Sequence, residues 1–115
     1  MSTDQTNILK ELIDFSNKVN SKVFNHTRFL ILTIISYIRD GVQFRVLKNL
    51  LNISDGKLQA DLENLKEMGY IEKIKVDLDN KKVTIYMITD SGKNEIKKIT
   101  SWIEIIKKMK DSKDV

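Results

Sequence analysis

The sequence predicts a mainly α domain with one small β-hairpin, flanked by an N-terminal and a C-terminal helix. Three observations carry that expectation. Apolar residues recur at three- and four-residue steps over most of the chain, one pair of β-rich runs is separated by a turn containing Asp and Asn, and 115 residues suffice for a single core. The chain is therefore read as one domain: residues 1–22 as an N-terminal helix, 23–92 as the central core and 93–115 as a C-terminal helix.

Ile8, Leu12, Phe15 and Val19 follow steps of four, three and four, with Leu9 and Ile13 widening the stripe, so residues 4–19 form an amphipathic helix. Asn25 or Thr27 can cap a second helix running through Ile38. Phe29, Leu30, Ile31, Leu32, Ile34, Ile35 and Ile38 cover nearly every side of it, which assigns it to the centre. Gly41 suits a left-handed stop beyond it. Val42, Gln43 and Phe44 make a very short strand, and Arg45 to Leu51 give one to two helical turns with Leu47, Leu50 and Leu51 inward.

Asn52-Ile53-Ser54 is a tight turn ending in a good N-cap, after which Leu58, Leu62 and Leu65 recur up to Met68 and Gly69 ends the helix. Helix, short turn, helix is the pattern whose second helix enters the major groove when it binds DNA. Tyr70 to Val76 and Val83 to Ile88 read as two strands, with Asp77 to Lys82 as a loop whose tip is basic. Thr89 or Asp90 caps a final helix carrying Ile96, Ile99, Ile103 and Ile106, joined by Trp102 and Met109.

Composition removes several kinds of chemistry. With no cysteine and one histidine, His26, the chain offers no disulfide, thiolate or multi-histidine metal set, and no cofactor is expected. Its four glycines are too scattered for a phosphate loop. Carboxylate pairs such as Asp77 with Asp79 fall in an exposed turn with no partner to set one of them up as an acid, so no catalytic site is expected. No apolar run approaches the about 20 residues of a bilayer span, and the start of the chain has no secretory pattern. A cytoplasmic protein without a membrane partner is the expectation. A net charge of +4 permits attraction to phosphate backbones.

On the helix after Ser54, inward leucines turn Gly56, Ala60, Glu63 and Asn64 outward, with Lys57 and Gln59 at the flanks. As a DNA reader, Ser54 and the helix start meet phosphate and Lys57 reaches phosphate or guanine. Gln59 and Asn64 address base edges, and small Gly56 and Ala60 permit close approach. The same face is also compatible with plain solvation. Because residues 54–68 carry a net −2, electrostatic affinity must come from Arg45, Lys48, Lys73, Lys75, Lys81 and Lys82. The terminal helices hold more apolar surface than one small core covers. Ile8, Leu12, Phe15, Ile99, Trp102, Ile103, Ile106 and Met109 are therefore assigned to a homodimer interface, the alternative being that the two helices pack on each other within one chain.

Three stretches carry a family resemblance: Phe44 to Leu58, Asn64-Leu65-Lys66-Glu67-Met68-Gly69-Tyr70-Ile71, and Tyr86-Met87-Ile88-Thr89-Asp90-Ser91-Gly92. The second is similar to the exit of a recognition helix into a wing, and the third to the segment that closes the wing and opens a dimer helix. In this wording, over about residues 23–109, the chain resembles the winged helix-turn-helix transcriptional regulators of the MarR and PadR-like families. The resemblance implies a recognition helix over 54–65, a wing around Asp79 to Lys82 and a dimer interface from both terminal helices. Where MarR members carry Asp-x-Arg in the wing, this chain has Asp79-Asn80-Lys81-Lys82, which keeps the charge and loses the planar fork. It lacks the cysteines of ArsR-like metal sensors. A homodimer reading two half-sites of double-stranded DNA is thus implied. A small-molecule effector site between dimer helices and core is implied by the family alone, with no residue assigned to it. A winged helix that meets a protein partner instead of DNA is the alternative that the acidic helix keeps open.

Overall fold

The computed structural model describes residues 2–113; Met1, Asp114 and Val115, at the ends of the expected terminal segments, lie outside the described residues. The elements in order are α1 (Thr3–Lys18), α2 (His26–Tyr37), β1 (Val42–Gln43), α3 (Phe44–Leu51), α4 (Asp55–Glu67), β2 (Ile71–Leu78), β3 (Lys81–Ile88) and α5 (Asp90–Lys113). Short polar side chains set the helix starts. Ser2 and Gln5 cap α1 reciprocally, Asn25 accepts from the Thr27 and Arg28 amides at α2, and Ser54 accepts from the Lys57 amide at α4. Asn52 ends α3 in the left-handed region, at φ 52°, and so makes the tight turn into α4. No helix among the described residues is long and apolar enough to cross a membrane.

The sheet is antiparallel throughout, in the order β1-β3-β2. Residues paired directly across strands share a face. Ile71, Lys73, Lys75 and Asp77 therefore lie beside Ile88, Tyr86, Thr84 and Lys82 on one face, and Ile74, Val76 and Leu78 beside Ile85, Val83 and Lys81 on the other. Ile71 and Tyr86 join Val42 and the helix residues Ile31, Leu32, Ile35, Leu47, Leu58, Leu62 and Leu65 in the core, so the first face is the helix side. Gly41 turns the chain from α2 into β1 at φ +96°, and a Cβ there would lie 2.6 Å from Ile85 Cδ1. The position is closed to larger residues on both counts.

α1 packs along α5, and its C-terminal end is pinned near the base of α5, where the Asn20 amide donates to the Glu95 carboxylate at 2.7 Å. Glu95 is buried and also accepts from the Tyr70 hydroxyl at 3.3 Å, while Asn20 Nδ2 donates to that hydroxyl at 3.0 Å. One polar cluster thus fastens the base of both terminal helices to the joint between α4 and β2. Beyond it the two helices project as an arm. The radius of gyration is 17.6 Å and the extents are 64 × 26 × 21 Å, against about 13 Å for a compact chain of this length.

Four expectations are corrected by the structure. The strands run to the very tip: Lys81 and Lys82 belong to β3, and the turn is only Asp79-Asn80, both at positive φ (49° and 63°) as a tight two-residue hairpin demands. Lys81 and Lys82 consequently point to opposite faces. Leu50 faces solvent at 62% exposure, because Leu47 and half-buried Leu51 already make the inward edge of the short α3. Ile99 is fully enclosed within its own chain and belongs to the core, where no second copy can reach it. Finally, Leu30 remains exposed, so α2 is central without being covered all round.

Candidate nucleic-acid interface

Leu58, Leu62 and Leu65 face inward on α4 as their spacing predicts, with a fourth buried residue, Asp61, in the same stripe. That stripe leaves Gly56, Lys57, Gln59, Ala60 and Glu63 exposed and Asn64 half-buried along the outer side, with Ser54 exposed at the cap. Arg45 is exposed on α3. Lys48, half-buried, forms an ion pair with Asp55 in the first turn of α4.

Lys73, Lys75 and Lys82 are exposed on the helix side of the ribbon, and Asp77 sits across from Lys82. Lys81 is exposed on the opposite side. Tyr86 shares the face of Lys73, and its hydroxyl is pushed above its ordinary pKa by burial and, secondarily, by Glu63 of α4. Ile71 and Tyr86 of this face sit in the core with Leu58, Leu62 and Leu65, so the face that also carries the lysines is the one turned toward α4. An outward polar helix face bordered by a basic ribbon is the arrangement that can follow a groove and its flanking phosphates.

The local electrostatics differ from a plain count. Asp61 is 1% exposed. Arg28 of α2 donates from Nε to Asp61 Oδ1 at 3.0 Å, and Lys57 Nζ is 2.9 Å from Oδ2. Arg28 from α2 and Lys48 from α3 thus counter two of the four carboxylates of α4, which cancels its net −2. Glu63, itself paired with Lys66 at 3.4 Å, and Glu67 remain as the acidic residues of the surface. Reading the sequence missed both Asp61 and Arg28. The signal was there in part, since an acid at the i+3 position of a leucine stripe must find a cation when buried.

Of the residues assigned to a dimer interface, Ile8, Leu12 and Phe15 on α1 and Trp102 and Met109 on α5 are half-buried, while Ile103 and Ile106 are exposed. Trp102 meets Phe24 edge to face, with ring centres 5.0 Å apart. An open apolar cleft of about 370 Å³ lies between Ile103 and the segment holding Phe24, Asn25, His26 and Phe29.

The chain is similar to uncharacterized protein MJ0432 of Methanocaldococcus jannaschii, at 32% identity over 72 residues, which are 63% of this chain and 78% of the relative. Its fold is similar to that of a transcriptional regulator homologue protein from Pyrococcus horikoshii OT3, at TM-score 0.66 and 21% identity over 95% of this chain and 99% of that one. It is equally similar to that of MarR, at TM-score 0.66 and 18% identity over 95% of this chain and 80% of MarR. Residues 27–106, from the first turn of α2 well into α5, match the family described as winged helix DNA-binding domain, and the chain belongs to that family.

Proposed function

We propose that the protein is a homodimeric transcriptional regulator that binds double-stranded DNA sequence-specifically and performs no chemistry. The observation that carries this reading is the open polar face of α4 with the lysine face of the ribbon turned toward it. α4 enters the major groove, where Gln59 and Asn64 address base edges while Gly56 and Ala60 let the backbone come close. Ser54, Lys57, Arg45 and Lys48 border phosphate on one side, and Lys73, Lys75 and Lys82 border it on the other. The arm supports a homodimer, because no residue of α1 is fully buried even though it packs on α5. A second layer of helices from another copy completes that packing and sets two α4 helices about one duplex turn apart.

Titration of a random-sequence duplex at rising salt tests the reading. Changing Lys73, Lys75 and Lys82 together to alanine is expected to weaken binding to all sequences and to reduce the log-log salt slope by about three. Lys81→Ala, on the other face, leaves the slope nearly unchanged. Gln59→Ala or Asn64→Ala is expected to relax sequence preference at about 1–3 kcal/mol per lost base contact, with an unaltered salt slope. The exposed acids Glu63 and Glu67 favour a second reading, a winged helix that meets a basic protein partner. A flat salt slope for the duplex would favour it.

A further inference from the structure

Resting on the DNA-binding reading, we infer that Arg28 and Lys57 form one contact for a backbone phosphate, with the buried Asp61 as its positioning residue. The two cations come from different helices and grip opposite oxygens of one carboxylate, at 3.0 and 2.9 Å. Asp61 has a side-chain exposure of 2%, Arg28 of 26% and Lys57 of 47%, so the acid lies beneath and both cations reach the surface.

A buried carboxylate needs one cation to become neutral; here two share it, and the cluster carries a net charge of +1. Stability alone gives little reason for the third charge, since a buried ion pair contributes no more than well-packed apolar side chains of similar volume. A phosphodiester carries one negative charge, which matches the surplus. Arg28 Nη1 is further held by the Lys22 carbonyl at 2.9 Å, so its guanidinium is fixed from two sides before any ligand arrives. Lys57 lies in the first turn of α4, two and seven residues ahead of Gln59 and Asn64, the residues assigned to base edges. A phosphate held by this pair would therefore set the depth and register of α4 in the groove. Arg28, unlike Lys57, is invisible to a reading of the helix-turn-helix segment alone, because it starts the helix before it.

The test uses the full chain and a random-sequence duplex, with affinity measured by fluorescence anisotropy across a tenfold range of salt. Arg28→Gln and Lys57→Gln are each expected to reduce the slope by about 0.9, so that the fall in affinity over that range becomes about eightfold smaller than in the parent. Asp61→Asn raises the charge of the cluster and is expected to move the slope the opposite way. Lys10→Gln removes the same charge from exposed α1 and is expected to leave the slope unchanged, which separates local contact from net charge. Lys57→Gln keeps the bridge from Arg28 to Asp61, so it remains informative if Arg28→Gln fails to fold. A steep wild-type slope that neither Arg28→Gln nor Lys57→Gln alters would overturn this contact alone. A flat wild-type slope would overturn the DNA-binding reading and this contact with it.

Discussion

Ile13→Glu combined with Ile106→Glu is expected to convert the protein from a dimer to a monomer and to weaken binding to a two-half-site duplex by about 10²–10⁴-fold. Both side chains lie at the surface of the single chain, at 58% and 45% exposure, so the change leaves the fold of each protomer in place. In the proposed dimer the second copy covers Ile106, one of the residues assigned to the interface, and Ile13, which widens the apolar stripe of α1, and a carboxylate buried there without a partner is strongly unfavourable. Without the link, the second half-site must be bound independently, and the gain from effective concentration disappears. Light scattering checks the first part, with a mass falling from twice 13.4 kDa to 13.4 kDa, and titration of the duplex checks the second. A wild-type mass of 13.4 kDa would contradict the proposal before any variant is made.

Gly92→Ala is expected to cost about 3 kcal/mol of stability. An added Cβ would lie 2.2 Å from the Tyr70 carbonyl oxygen and 2.9 Å from Ile88 Cδ1. The backbone oxygen cannot step aside, because it accepts from the Thr89 amide at 3.0 Å and so closes the joint between the ribbon and α5. Relief therefore requires α5 to move away from its seat, close to where Glu95 holds Tyr70 and Asn20. For a domain of this size the loss corresponds to about 12 °C in melting temperature. Urea or thermal unfolding followed by circular dichroism measures it, and an alanine variant within 0.5 kcal/mol of the parent, as an ordinary surface change would be, contradicts the argument.

Most of the fold was legible because it rests on local signals. The leucine spacing of α4, the capping side chains of Asn25 and Ser54, and the Asp79-Asn80 turn each act within a few residues of themselves. What remained hidden depends on distant partners. Asp61 reads as a surface acid until Arg28, 33 residues earlier, is brought against it by the packing of α2 on α4. Ile99, Ile103 and Ile106 follow one helical period, yet Ile99 is enclosed by the core while the other two lie on the projecting arm. Periodicity gives the face of a helix, and what covers that face changes along the 24 residues of α5. Lys81 and Lys82 looked like a loop because strand ends beyond a core need no apolar alternation. Gly92 likewise answers to a distant atom, the carbonyl of Tyr70, which no local pattern reveals.

The most direct test of the account is the stoichiometry and salt dependence of the complex with a duplex selected from a random pool. Two chains per duplex, contacts centred about one helical turn apart and a steep loss of affinity with salt are the predicted result. One chain per duplex, or affinity indifferent to salt, would contradict it.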